Sequence, residues 1–122
     1  MPGVPLKGKT ILVVDDDPLY VELVKDVLES HQHLVAVAFN GAEALSLAEA
    51  QQFDLVVSDI EMPVMNGIRF HEEITKSDRL KHLPFIFLTG TENQEHLQYV
   101  REHPPAVLLR KSNMVEELLS LV

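Results

Sequence analysis

Ile11-Leu12-Val13-Val14 is an unbroken apolar run that stops on Asp15, Asp16 and Asp17. Leu55-Val56-Val57-Ser58 is a second such run, and it stops on Asp59. Short runs rich in β-branched residues predict buried strands. The same pattern predicts strands over Leu34 to Phe39, Pro84 to Thr89 and Ala106 to Leu109, and it starts the Asp59 strand at Phe53. Successive residues in these runs are apolar, so both faces of the sheet are expected to be covered.

The intervening segments change to helical spacing. Leu23, Val24, Val27 and Leu28 form a stripe in Leu19 to Ser30, after Asp17 as N-cap and Pro18 at the first helical position. Asn40-Gly41-Ala42-Glu43 resembles a capping box and opens a helix to about Ala50. Ile68, Phe70 and Ile74 mark a helix over Ile68 to Ser77. Leu97 and Val100 mark another over Glu92 to Glu102, and Met114 to Val122 forms a short last one. Glu61 to Gly67, with Pro63 and Asn66-Gly67, reads as a loop. Five βα units imply an α/β fold, a single doubly wound (βα)5 domain with a parallel sheet between helices. Residues 1–8, with Pro2, Gly3, Pro5 and Gly8, read as a flexible lead-in, and residues 9–122 as the domain.

This organisation gives the aspartates meaning. Residues at the C-terminal ends of parallel strands lie on the rim where open α/β sheets place their ligands. Carboxylates gathered there repel one another and shift each other's titration. Hard oxygen ligands of this kind suit Mg²⁺, with Mn²⁺ as a substitute. Asp59 is a candidate nucleophile, since a carboxylate can attack phosphorus to form an acyl phosphate. Thr89 and Lys111 end two further strands, and a hydroxyl and an ammonium there can hold phosphoryl oxygens. Asp17 is accounted for as a helix cap.

Composition narrows the classes. The chain has 122 residues, a net charge of −9 and no cysteine. That charge argues against direct nucleic-acid binding, which needs clustered Lys and Arg. Thiolate metal sites are excluded. No apolar stretch approaches the roughly 18 residues of a membrane span. The N-terminus lacks the charged start and apolar middle of a signal peptide, so a cytoplasmic location is expected.

Three other motifs carry no chemistry. Gly3 to Thr10 satisfies the G-x-x-x-x-G-K-T pattern. It precedes a strand, however, rather than linking a strand to a phosphate-facing helix. His31 and His33 flank Gln32 without a third metal ligand, and read as a solvated loop. His71-Glu72-Glu73 is not H-E-x-x-H, because Thr75 stands at the last position.

The set Ile11 to Pro18, Asp59-Ile60-Glu61-Met62-Pro63 with Gly67, Leu88-Thr89-Gly90 and Lys111 resembles the receiver domain of two-component response regulators. The resemblance runs from about Lys9 to Leu121. It implies the flavodoxin-like strand order 2-1-3-4-5 and a phosphorylation-dependent signalling switch rather than an enzyme. It implies that Asp59 accepts a phosphoryl group from a sensor histidine kinase or phosphotransfer protein. Asp15, Asp16, Asp59 and the backbone carbonyl of Glu61 would hold Mg²⁺. Thr89 and Lys111 would bind phosphoryl oxygens, and Glu61 and Thr91 would tune acyl-phosphate hydrolysis. The partner surface would be the fourth helix, last strand and last helix, read by an output domain or partner protein, with homodimerisation there as a further expectation.

The chain departs from that family at three places. Ser112 stands where proline, commonly in a cis peptide, usually follows Lys111, and Arg110 is a rival to Lys111. Leu108 stands where an aromatic ring usually rotates with the threonine. Pro104-Pro105 precedes the last strand, and the last helix is short. Two alternatives accompany this reading: a small aspartyl-phosphate phosphatase of the haloacid-dehalogenase type, and a pseudo-receiver that acts without phosphorylation.

Overall fold

The computed structural model describes residues 8–90 and 93–122. Most of the expected lead-in, and Thr91 and Glu92, lie outside the described residues. The elements run β1 (Thr10–Val14), α1 (Pro18–Glu29), β2 (Leu34–Ala38), α2 (Gly41–Ala50), β3 (Leu55–Asp59) and α3 (Gly67–Thr75). They continue with β4 (Phe85–Thr89), α4 (Gln94–Glu102), β5 (Val107–Arg110), a 3₁₀ turn (Lys111–Asn113) and α5 (Met114–Leu121). All four strand pairs are parallel, in the order β2-β1-β3-β4-β5.

Side-chain alternation along the strands sorts the core into two layers. Leu12, Val14, Val56, Phe85 and Phe87 face one way and pack with α2, α3 and α4 through Ala44, Ala48, Phe70, Ile74 and Val100. Ile11, Val13, Leu55, Val57, Ile86, Leu88 and Leu109 face the other way and pack with α1 and α5 through Val21, Val24, Leu28, Met114 and Leu118. The α1 stripe is rotated from the expected one: Val21 is buried and Leu23 is exposed.

Helix starts follow side-chain chemistry. Asp17, Asn40, Asn66 and Asn93 each accept a backbone N–H of the helix that follows. Glu43 reaches back to the Phe39 N–H at 2.8 Å, so the capping box closes one residue earlier than the standard motif. His33 Nδ1 accepts the Lys9 N–H at 2.9 Å, a structural bond that gives the His31–His33 pair no ligand role.

Gly67 fixes the start of α3 against the end of β3. Its N–H donates to the Ile60 carbonyl at 2.8 Å. A Cβ there would lie 2.2 Å from the Asp59 carbonyl oxygen and 3.0 Å from Ile60 Cα. Both neighbours are backbone and cannot rotate aside. Gly67→Ala is expected to lower stability by about 1–3 kcal/mol, as overpacking does, measured by urea denaturation. Unchanged stability would contradict the close approach.

Candidate functional site

The alternation that builds the core also builds the site. Ile11 pairs with Leu55 and Val13 with Val57, all on the α1/α5 face. Two residues further along, the same register brings Asp15 beside Asp59. Asp15 continues the strand geometry, since its N–H donates to the Ala38 carbonyl at 3.1 Å. Asp15 is 2% exposed and Asp59 7%, whereas Asp16 faces solvent. Carboxylate oxygens of these three residues all lie within 4.8 Å of one another.

Lys111 enters from the far edge of the sheet. Its Nζ lies 2.7 Å from Asp15 Oδ2 and 3.5 Å from Asp59 Oδ2. The stem passes the end of β4 at Gly90, where a Cβ would sit 3.9 Å from Lys111 Cδ. Arg110, the rival base, is on an exposed position of β5. The other Asp15 oxygen accepts the Asp17 N–H at 3.0 Å, and Asp59 Oδ1 accepts the Ile60 N–H at 2.8 Å. Ser58 closes the strand end by donating to the Asp59 carbonyl at 2.7 Å.

Three carboxylates against one ammonium leave negative charge in excess at this rim. Burial, and then the charge of Asp15, push the Asp59 carboxyl up to about 6, against the pull of Lys111 and the Ile60 N–H. Burial acts to lower the Lys111 pKa, but its bond to Asp15 and the charge of Asp59 outweigh that and raise it.

Tyr20 is a component the sequence reading missed. Its hydroxyl donates to the Lys111 carbonyl at 3.1 Å, and its ring centroid lies 4.5 Å from Lys111 Nζ. Burial, then Asp15 and Asp59, push its hydroxyl up to about 12, so it remains a donor at neutral pH. A signal was present: an aromatic residue one helical turn before the buried Val24, in the first turn of the helix that leaves the acidic rim.

The remaining predicted residues fall around this cluster. Thr89 is buried at the end of β4, on the α2–α4 side by alternation. Leu108 packs on that same side. The Glu61 side chain reaches outward, with its Oε1 3.8 Å from His96 Nδ1 on α4. In the loop after it Val64 adopts φ 69°, and the Met65 N–H donates to the Pro63 carbonyl at 2.7 Å. That is a γ-turn on an exposed β-branched residue, a strained conformation found at functional loops. The one cis peptide among the described residues is Pro104–Pro105, not the bond before Ser112.

The donor set fits a hard divalent cation: all oxygen, acidic, and close enough to share one ion. The chain matches the response regulator receiver domain family over residues 11–122. It belongs to that family. It is 38% identical over 85 residues to the protein PilH of Pseudomonas aeruginosa, covering 70% of this chain and 69% of PilH. With a probable transcriptional regulator, ycf29, of Porphyra purpurea it shares 37% identity over 80 residues, 66% of this chain and 38% of that protein. The chain thus spans well under half the length of that relative. The receiver fold superposes on response regulator TrrA of Thermotoga maritima, crystallised with Mg²⁺ and BeF, at a TM-score of 0.80. Identity there is 33%, over 93% of this chain and 95% of TrrA.

The raised Asp59 pKa predicts a pH-dependent stability. Between pH 3.8 and about 6 the folded receiver binds a proton that the unfolded chain has released. Stability is therefore lost as pH rises through this window, and the loss is complete above about 6. In chelated, metal-free buffer, Asp59→Asn is expected to raise Tm at pH 7 to 8, and the gain should shrink towards pH 4. A gain independent of pH, or a lower Tm at pH 8, would contradict the charge conflict.

Proposed function

We propose that this receiver domain is a phosphorylation switch whose phosphoacceptor is Asp59. The observation that carries the reading is the buried Asp59 carboxylate at the sheet rim, flanked by Asp15, Asp16 and Lys111. Asp15, Asp16, Asp59 and the Glu61 carbonyl would hold a divalent cation, Mg²⁺ or Mn²⁺. When bound, the ion supplies positive charge that offsets the phosphoryl transition state.

The chain's own residues do the rest. One Asp59 carboxylate oxygen attacks phosphorus in line with the scissile P–N bond of a phosphohistidine. The P–O bond forms, the P–N bond breaks, and the imidazole nitrogen leaves with its electron pair. Lys111 pairs with an oxygen of the transferred group, and the Thr89 hydroxyl donates to another. Water later attacks phosphorus, the P–O bond to Asp59 breaks, and the carboxylate is restored as inorganic phosphate is released, so the signal decays, at a rate that Glu61 tunes.

The donor is a sensor histidine kinase or phosphotransfer protein, and the domain works in the cytoplasm, where such a kinase draws on ATP. Thr89 and Leu108 share a side of the sheet, so movement of the threonine is passed to the packing under α4 and β5. Leu97, Val100, Ala106 and Leu108 line an apolar groove of about 440 Å³ there. An output domain, a partner protein or a second copy reads that face.

Incubation with acetyl phosphate and Mg²⁺ is expected to add one phosphoryl group by intact mass, and none in Asp59→Asn. No mass shift in the wild type, or an equal shift in the variant, would overturn the reading, as would catalytic turnover of phosphate monoesters. Lys111→Ala is expected to slow uptake roughly 10²-fold, the typical cost of one lost oxyanion contact. Arg110→Ala should leave it near wild type. Loss only in the arginine variant would transfer the role to Arg110.

A further inference from the structure

Lys111 opens a 3₁₀ turn whose preceding residue makes no side-chain capping bond. Ser112 and Asn113 within the turn are both exposed. Among the described residues, the turn's own bond is the Met114 N–H on the Lys111 carbonyl, which closes the turn but does not direct the lysine side chain. Two further contacts among the described residues come from one residue 91 positions away: the Tyr20 hydroxyl on the Lys111 carbonyl and the Tyr20 ring beside its ammonium.

We propose that Tyr20 is a positioning residue for Lys111 in phosphoryl uptake, an inference that rests on the phosphoacceptor reading above. The hydroxyl fixes where the lysine stem starts. The ring fixes where its charged end rests, because an aromatic face attracts an ammonium.

Among the described residues, Lys111 Nζ is near Asp15, Asp59 and the Tyr20 ring, and these neighbours are not equivalent. Asp15 and Asp59 are the two groups that uptake needs for other purposes. Once Asp15 turns an oxygen to a cation and Asp59 engages phosphorus, the ammonium loses its nearest counter-charges. The Tyr20 ring competes for neither task. It is the contact that persists, and it keeps the ammonium within the site where the phosphoryl oxygens arrive. Without it, a long lysine side chain next to the exposed Ser112 and Asn113 would sample solvent between encounters.

The test is the initial rate of phosphoryl uptake from acetyl phosphate in saturating Mg²⁺, read by intact mass, in a double-mutant cycle. Tyr20→Phe keeps the ring and removes the carbonyl bond, and Tyr20→Leu removes both. Losses of about threefold and about tenfold are expected, from one hydrogen bond and from that bond plus a cation–π contact. In a Lys111→Ala background neither substitution should change the rate further. Equal losses in both backgrounds would show that Tyr20 only supports the fold, and would overturn the proposal. So would wild-type rates in both variants. If Tyr20→Leu does not fold, Tyr20→Phe in the two backgrounds decides by the same comparison. No uptake by the wild type would overturn the phosphoacceptor reading and this one together; uptake indifferent to Tyr20 would overturn this one alone.

Discussion

The repulsion between Asp15 and Asp59 is the constraint around which the rest of this receiver domain is arranged. Two buried carboxylates on adjacent strand ends oppose folding unless something offsets them. Lys111 does so in part, at 2.7 and 3.5 Å. The Asp17 and Ile60 backbone N–H groups take one oxygen each. The balance still lies on the side of excess negative charge, and burial together with that charge pushes the Asp59 carboxyl up to about 6. A rim that is electrostatically under-compensated is ready for cations and for a ligand that brings its own.

The sheet's two-residue period decides how that local conflict is connected to the rest of the molecule. Asp15, Asp59 and Lys111 follow the strand positions that face α1 and α5. Thr89 and Leu108 follow the positions that face α2, α3 and α4. The carboxylate–ammonium cluster and the Thr89–Leu108 pair thus stand on opposite sides of one sheet and meet at its C-terminal rim. Leu108 brings no ring that could swing through the packing. What α4 and β5 have instead is a half-buried leucine beside an apolar groove.

Much of this was legible in the sequence because strand ends are marked twice, by the end of an apolar run and by the residue that ends it. Asp15, Asp59 and Thr89 are marked in that way, and the helix-capping residues Asp17 and Asn40 are legible from their type and position. Helical faces were less legible. The expected α1 stripe includes Leu23 and omits Val21, yet the position of the helix over the sheet buries Val21 and exposes Leu23. Tyr20 was missed for a different reason. Its partner is 91 residues away, and no periodicity encodes a contact between a first helical turn and the turn after the last strand. The sequence pattern leaves Asn66 in a loop and Asn93 inside a helix from Glu92, although both cap helices. The choice between Arg110 and Lys111 needed the structure: β5 runs one residue further than expected, to Arg110, and leaves Lys111 to turn inward.

The proposed switch requires a divalent cation to offset the excess negative charge at this rim while Asp59, Thr89 and Lys111 hold one phosphoryl group. The direct measurement is a backbone-amide NMR titration with Mg²⁺ and beryllofluoride, a non-transferable stand-in for the phosphoryl group. The account predicts saturation at one equivalent. It places the largest shifts at Asp15, Asp59, Ile60, Thr89 and Lys111, with further shifts in α4 and β5, and predicts none of this in Asp59→Asn. A titration that leaves the Asp59 and Lys111 amides unmoved, or that proceeds unchanged in Asp59→Asn, would contradict it.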